Sequence, residues 1–271
     1  MLQGGRCPTA RTSFKSARKG NRFWHALAVI SLFLVGGAAA QVPGQTEARC
    51  QNTDKLEATH FRATQISGLA LVELGQPDSL GRTVEIDYRG ESFVGKFDQD
   101  GRVRIGFVLT EASAEFAIRL AETPLVTCKV DVPDFAKIFR VILRWQDPVQ
   151  LDLNVIEPGR KMTRRNIDAA QRIGHVDLVG AAPAEGATAE ASYLVPDGTI
   201  IPASSEFGFR VDFVTRGRKP EAPYCGDHPL AVAQMELIVI EKGQVTTRRL
   251  RTNRIACGAN IAESRRYMAI R

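Results

Sequence analysis

The sequence predicts an all-β protein made of two small immunoglobulin-like β-sandwich domains after a cleaved signal peptide. Three observations lead to this fold class. Apolar and polar residues alternate with a period of two through most of the chain, whereas the helical period is scarce. Turn residues separate the alternating segments at short intervals, as in sandwiches. The chain also opens with a basic segment, an apolar segment and a small-residue cleavage signal.

Residues 1–40 have the pattern of a secretory leader. Basic residues precede the apolar run Ala26–Val35, and Ala38-Ala39-Ala40 supplies small residues for cleavage before Gln41. The apolar run is shorter than the roughly twenty residues that cross a bilayer as a helix. We therefore expect cleavage, no transmembrane anchor in the mature chain, and a periplasmic or secreted location.

The net charge of the mature chain argues against nucleic-acid binding. The full chain has 36 Lys and Arg against 30 Asp and Glu, and cleavage removes six bases, which leaves 30 against 30. Such a chain lacks the net positive charge with which proteins bind the phosphates of nucleic acids. Acids exceed bases by 14 to 10 in 41–133, and bases exceed acids by 20 to 16 in 134–271. The two halves are therefore suited to dock on each other, or the second half to face an anionic surface.

Four cysteines follow the leader, and an even number in an exported chain favours disulfides. They are Cys50, Cys128, Cys225 and Cys257. We expect the sequential pairing, Cys50–Cys128 with Cys225–Cys257, which gives each half its own bridge. The competing pairing, Cys50–Cys225 with Cys128–Cys257, would tie the halves together.

A first sandwich domain is predicted at 58–133, after an N-terminal segment at 41–57. Its clearest part is three alternating segments joined by Arg89-Gly90 and Asp98–Gly101, which predict a three-stranded meander. Cys128 shares its face with apolar residues, so its sulfur should be buried. The strands expected in this domain are Gly68–Leu74, Thr83–Tyr88, Phe93–Phe97, Val103–Leu109, Phe116–Leu120 and Leu125–Val132.

Pro133-Asp134 breaks the alternation and marks a predicted boundary to a second sandwich domain, 134–262, which a flexible tail, 263–271, follows. Arg140 and Arg144 fall on the opposite face of their strand from Phe139, Val141, Leu143 and Trp145. The alanine- and glycine-rich span Ala181–Ala191 is expected to be a flexible connection. The predicted strands are Phe139–Trp145, Leu151–Val155, Phe207–Phe213, Met235–Glu241 and Val245–Leu250.

Residues 139–159 contain a strand that ends in Trp145, then the sequence Gln-Leu-Asp-Leu-Asn-Val, then Pro-Gly. This segment resembles the opening of bacterial YfaP-like domains and, more loosely, the bacterial pre-peptidase C-terminal domain. Where those families carry two acidic positions and an aromatic residue or histidine, this chain has Gln150, Asp152 and Asn154. The resemblance implies a β-sandwich module and little about its activity.

Signatures of known catalytic sites are absent from the sequence. The chain lacks G-x-S-x-G, H-E-x-x-H, P-loop, dinucleotide-binding and EF-hand patterns, and His60, His175 and His228 are its histidines after the leader. We therefore predict no catalytic residue, no metal site and no cofactor. Asp98–Gly101 faintly resembles a calcium loop, but an ordinary hairpin turn explains it better.

One proline-rich segment, Arg216–Pro229, is a candidate recognition loop, since sandwiches bind through their end loops. Its basic residues favour an anionic ligand, and the alternative is an ordinary solvated loop. Cys225, His228 and Cys257 could instead hold a metal, although a disulfide suits an exported protein better. The candidate recognition residues are Arg218, Lys219, Tyr224, Asp227 and His228.

These features together predict a non-enzymatic binding or structural module of the bacterial envelope. Its expected partner is an envelope protein or an anionic ligand. The alternative is an exported hydrolase or carbohydrate-acting accessory protein, which would show a cleft with convergent titratable groups. A component of an envelope assembly would instead show a large exposed apolar patch.

Overall fold

Strands make up nearly all the regular structure in the described part of the computed structural model. Within that part, the helices are two 3₁₀ turns, Thr53–Leu56 and Phe135–Lys137. None of the helices described there has the length and hydropathy needed to cross a membrane. The prediction of an all-β protein is confirmed. The described residues are 45–120, 125–158, 173–201, 206–213, 230–231, 235–249, 255–256 and 260–266.

Nineteen strands lie in these ranges. Those of the first half are β1 Gln45–Glu47, β2 Arg49–Gln51, β3 His60–Ile66, β4 Leu69–Gly75, β5 Thr83–Tyr88, β6 Glu91–Lys96, β7 Arg102–Val108, β8 Ser113–Leu120 and β9 Val126–Asp131. Those of the second half are β10 Phe139–Trp145, β11 Leu151–Ile156, β12 His175–Leu178, β13 Ala189–Val195, β14 Glu206–Phe213, β15 Leu230–Ala231, β16 Glu236–Glu241, β17 Gln244–Arg249, β18 Ile255–Ala256 and β19 Asn260–Arg266.

The strands β1–β9 form two antiparallel sheets that face each other across a hydrophobic core. Sheet A has the order β1-β3-β4-β7, and sheet B has the order β2-β9-β8-β5-β6. Phe107 of sheet A lies 5.2 Å from Phe93 and 5.3 Å from Phe116 of sheet B, measured between ring centroids. Burying a phenylalanine side chain stabilises a fold by about 1.5–3 kcal/mol, so these rings are a large part of what holds the two sheets together.

The N-terminal segment contributes a strand to each of these sheets. β1 pairs with β3 of sheet A, and β2 pairs with β9 of sheet B. Residues 45–51 therefore close one edge of the first pair of sheets.

The predicted meander of three strands is wrong in its last strand. β5 pairs with β6 as expected, but β7 pairs with β4 in sheet A. Alternation predicted the buried face of β7 correctly, because Val103 and Ile105 are buried. The alternation could not predict the partner strand, because an apolar face would be buried in the shared core whether β7 belonged to sheet A or to sheet B. Gly95 allows β6 of sheet B to pack closely against β7 of sheet A. A Cβ at this position would lie only 2.7 Å from the side chains of Val103 and Ile105.

The second half forms a five-stranded sheet and a three-stranded sheet around another core. Sheet C has the order β12-β13-β10-β16-β17, and sheet D has the order β11-β14-β19. Phe139 of sheet C and Phe207 of sheet D lie 5.0 Å apart between ring centroids. A short pair, β15 with β18, completes the described strands.

Two segments of the second half are more regular than the sequence predicted. Ala181–Ala191 is not only a connection, because Ala189–Val195 is the buried strand β13 between β10 and β12. Small side chains weaken an alternation pattern even where a strand is fully enclosed. β19 also extends into the predicted flexible tail, since its pairing with β14 continues to Arg266.

The central strands of sheet C, β13, β10 and β16, are buried on both faces, which positions the charged residues described below. Every residue of β10 is buried. Val141 and Leu143 point into the core between sheets C and D. Ile142 and Ile240 belong instead to the core of sheets A and B. The predicted boundary at 133/134 lies between β9 and β10, where the chain leaves sheet B and enters sheet C.

Candidate functional site

The predicted bridge between Cys50 and Cys128 is present. These cysteines face each other directly across β2 and β9, with Cα atoms 4.0 Å apart. Cys128 is fully buried, as its place in the alternation predicts. This bridge excludes the competing pairing of Cys50 with Cys225.

The other predicted site residues lie outside the described part of the chain. This applies to Cys225, Cys257 and the whole candidate recognition loop with Arg218, Lys219, Tyr224, Asp227 and His228. The second bridge and the recognition loop therefore stay predictions.

A polar groove of about 700 Å³ lies on sheet A. Three separate segments line it, namely 59–60 at the start of β3, 73–77 at the end of β4, and 98–104 from the turn before β7 into that strand. Its side chains include His60, Glu73, Gln76, Asp100 and Arg102. Such a lining suits a hydrophilic ligand.

The groove exists because a glycine interrupts a row of side chains. His60, Gly75 and Arg102 are direct neighbours across β3, β4 and β7. Residues in such a row point to the same face of a sheet, so the missing side chain at Gly75 leaves a depression between His60 and Arg102. A Cβ at this position would lie 3.2 Å from the Cβ of His60.

The turn at Asp98–Gly101 forms one wall of the groove. The Asp98 carboxylate accepts hydrogen bonds from the backbone N–H groups of Asp100 and Arg102, both at 2.9 Å. These bonds give Asp98 a structural role, as an aspartate that closes a turn on its own backbone. Gly101 has a φ of 66°, and a Cβ there would lie 2.5 Å from the carbonyl oxygen of Gln76. Glycine is therefore required where the two walls meet.

Charged side chains alternate in sign in the next row of sheet A. Arg62, Glu73 and Arg104 are neighbours across β3, β4 and β7. The Glu73 carboxylate lies 3.5 Å from Nε of Arg104, whose side chain is 68% exposed. An exposed pair of this kind contributes little stability. The groove and this row together carry as many carboxylates as guanidinium groups.

The side-chain oxygen of Gln76 is buried beside the groove. Among the described residues, it has no hydrogen-bond partner. Buried polar atoms in native proteins are usually paired, and an ordered water or an ion often explains the exceptions. The groove therefore contains an acceptor whose hydrogen-bonding capacity the protein itself does not satisfy.

A second group of charged residues lies between sheets A and C and is fully enclosed. Nε of Arg144 donates to Oε1 of Glu190, and Nη2 of Arg144 donates to the carbonyl oxygen of Val108 at 3.1 Å. The N–H of Val108 donates to Oε2 of Glu190 at 2.6 Å. Burial raises the pKa of the Glu190 carboxyl above its ordinary value, against the opposing effects of Arg144 and the Val108 N–H.

Arg140 makes a parallel set of contacts in the same interface. Its Nη1 donates to Asp177 at 2.7 Å and to the Ser192 hydroxyl at 3.1 Å. Its Nη2 donates to the carbonyl oxygen of Ser67, in the turn between β3 and β4, at 2.9 Å. Burial lowers the pKa of the Arg140 guanidinium, and Asp177 opposes this effect. Arg140 and Arg144 thus join the second half to sheet A.

A buried carboxylate also lies beside the core of sheets C and D. Oε1 of Glu157 accepts hydrogen bonds from the Tyr193 hydroxyl at 2.7 Å and from the N–H of Gly174 at 3.0 Å. Its other oxygen, Oε2, is buried and lacks a partner among the described residues. Glu157 thereby ties the end of β11 to β13.

Sequence reasoning missed both the groove and the enclosed charges. The groove lining is scattered over three segments, and only the turn at Asp98–Gly101 had been singled out. The strand face on which Arg140 and Arg144 lie was predicted correctly, but the two carboxylates that bind them, Asp177 and Glu190, were not predicted. One signal was available, since the opposite net charges of the two halves suggested that they dock.

No group of three or more His, Cys, Asp and Glu side chains suited to a metal ion occurs among the residues that the structure describes. Comparison with protein-family models, with curated proteins and with solved structures finds no match to this chain. The resemblance of residues 139–159 to YfaP-like domains therefore stays a prediction.

Proposed function

We propose that the chain is exported, loses residues 1–40, and acts in the bacterial envelope as a non-enzymatic binding or structural module. In this proposal its sheets form two immunoglobulin-like sandwiches, and the groove on sheet A is the binding site. The observation that carries the proposal is this open polar groove, built around Gly75 and flanked by His60 and Arg102.

The position of the groove supports binding. Its lining belongs mainly to strands and to a hydrogen-bonded turn, and sites on such elements hold their geometry better than sites on long loops. The groove also lies at the end of sheet A formed by His60, Gly75 and Arg102, whereas Val108 at the other end of β7 contacts the second half. A ligand could therefore enter without disturbing the enclosed charges.

The titratable groups with pKa values shifted by burial support a structural role for the interface rather than catalysis there. Such groups often mark active sites. Here the groups are Arg140 and Glu190, and both are enclosed between sheets A and C. Each is held by groups of the protein itself, and neither lies in the groove, so neither is placed to meet a substrate.

The binding role is tested by capture from envelope extract. Immobilised mature protein is compared with Asp100→Lys/Arg102→Glu, which inverts two groove charges without changing the net charge. Glu115→Lys/Lys129→Glu makes the same exchange on a cross-strand pair of sheet B, whose residues are exposed. We expect a component that the wild type and the sheet B variant retain and the groove variant loses. Equal retention by all three proteins would exclude the groove as the binding site.

The export role is tested separately by mass measurement of the protein recovered from the envelope fraction. Cleavage after Ala40 places the new N-terminus at or near Gln41. A protein in that fraction that still begins at Met1 would contradict cleavage.

A further inference from the structure

We propose that the free edge of β7 binds an extended acidic peptide segment, which adds to sheet A as a further strand. This inference rests on the proposed binding function, since it names the ligand class for the same part of sheet A. Strand addition of this kind takes its affinity from backbone hydrogen bonds and its specificity from alternate side chains.

β7 is the last strand of sheet A, so one of its edges is not paired with another strand of that sheet. In an antiparallel ladder, alternate residues direct both backbone groups to the same side. The N–H of Leu109 donates to Gly68 at 2.7 Å, which places the odd-numbered residues on the side of β4. Arg102, Arg104, Gly106 and Val108 therefore direct their backbone groups to the free edge.

The protein itself occupies both ends of this edge. At the first end, Asp98 bonds both backbone groups of Arg102: its carboxylate accepts from the N–H at 2.9 Å, and its own N–H donates to the carbonyl oxygen at 2.8 Å. At the other end, Glu190 and Arg144 bond the N–H and the carbonyl oxygen of Val108. These side chains and the N–H of Asp98 make the contacts that a neighbouring strand would make.

Between these ends, Arg104 and Gly106 leave a window of two N–H and two carbonyl groups. No partner for these four groups occurs among the described residues. Because the ends are already bonded, a visiting segment pairs only here, in a fixed register. The window from Arg104 to Gly106 spans about 7 Å at the usual rise of a strand, so about three residues of an added segment pair with it.

The charges beside the window favour an acidic segment. The side chains of Arg102 and Arg104 are exposed on the groove side of sheet A. Glu73 already contacts Arg104 from the β4 side, and the Asp98 carboxylate is bonded to backbone N–H groups. Arg102 makes no ion pair with the described residues. A carboxylate on an added strand would therefore meet the guanidinium group of Arg102, which is not yet in an ion pair.

The test uses a synthetic peptide of four Glu-Val repeats, capped at both ends, and titrates it into the mature protein by fluorescence polarisation. We expect a Kd below about 1 mM and no binding of the matched Lys-Val peptide. Two further peptides carry N-methyl groups on alternate amides, in the two opposite phases. The phase whose amides face β7 should lose at least about tenfold in affinity, and the other phase should change less than about twofold.

The protein variants test the charges. Arg102→Glu/Arg104→Glu should weaken binding of the Glu-Val peptide at least about tenfold, because it places like charges beside the peptide. Lys55→Glu/Lys129→Glu makes the same charge change at exposed positions away from β7 and should bind as the wild type does.

Three results would overturn the inference. These are no binding of the acidic peptide, equal affinity of the two N-methylated peptides, or binding of inorganic polyphosphate where the peptide does not bind. The N-methylated peptides use the wild-type protein, so the test does not depend on a variant that folds. If the groove captures an envelope component while the peptide fails to bind, the peptide inference is wrong and the proposed binding function stands.

Discussion

Arg144 and Glu190 satisfy the backbone groups that would otherwise be left unpaired at the end of β7. Their role is therefore to close a sheet edge as well as to join two parts of the fold. Burying an ion pair is costly, and removing one partner leaves the other without compensation, which typically costs about 3–5 kcal/mol. The energetics of this pair should consequently dominate those of the exposed ion pairs.

We expect Arg144→Met and Glu190→Leu each to lower the free energy of unfolding by about 3–5 kcal/mol. The double variant should lower the free energy of unfolding by clearly less than the sum of the two single effects, because it leaves no buried charge without a partner. Urea titrations of the four proteins measure the coupling. The partly exposed pair Arg119–Asp87 is the control, and Arg119→Met should lower the free energy of unfolding by less than about 1 kcal/mol. Additive effects at Arg144 and Glu190 would show that the two side chains are not coupled.

The raised pKa of Glu190 also gives the fold a pH dependence with a definite sign. An acid whose pKa is higher in the folded than in the unfolded protein holds its proton better when folded. Its contribution to stability is full below the unfolded pKa and is lost as the pH rises through the folded pKa. The free energy of unfolding of the wild type should therefore fall relative to that of Glu190→Gln as the pH rises above about 4.5. A difference that stays constant across this range would contradict the raised pKa.

At this scale, the alternation predicts where a side chain points but not what covers it. Arg140 and Arg144 lie on the other face of β10 from Phe139, Val141, Leu143 and Trp145, as the sequence indicates, yet both are buried. Their partners could not be predicted because Asp177 and Glu190 come from segments with weak patterns. Glu190 in particular lies between two alanines in a span expected to be a flexible connection.

The strands of the two cores follow the alternation of apolar and polar residues closely. The bridge between β2 and β9 was predicted from sequential pairing of the cysteines and from the place of Cys128 on the apolar face of its strand. Pairing between strands was harder to predict. β7 has a clear apolar face, but whether that face meets the core from sheet A or sheet B depends on contacts distant in sequence. The groove has the same origin, since β3, β4 and β7 become neighbours only through this pairing.

The bridge holds the short strand β2 against β9, and it joins residues 78 apart in sequence. Restricting the unfolded chain in this way typically stabilises a fold by about 2–4 kcal/mol. We expect Cys50→Ser/Cys128→Ala to lower the unfolding free energy by about this amount under oxidising conditions. Under reducing conditions the difference from wild type should shrink, because the wild type then also lacks the bridge. An equal difference in both conditions would assign the effect to packing at Cys128.

At the scale of the whole molecule, the two hydrophobic cores share sheet C. One face of β10 belongs to each core, and Arg140, Arg144 and Glu190 bond sheet C to the backbone of sheet A and its β3–β4 turn. Loss of either core would expose a face of sheet C that carries buried apolar and charged groups. The opposite net charges of the two halves are consistent with this close packing, although the sequence alone left docking as one of two alternatives.

We therefore expect the two halves to unfold together. Calorimetry of the mature chain should show a single transition whose van't Hoff enthalpy equals the calorimetric enthalpy, which is the test of two-state unfolding. Replacing Arg140 and Arg144 with methionine should lower the midpoint and separate the transition into two, because these residues bond sheet C to sheet A. Arg119→Met, at a partly exposed pair of sheet B, should leave one transition. Two resolved transitions in the wild type would show that the halves are independent domains, and that the contacts of Arg140 and Arg144 contribute little to their coupling.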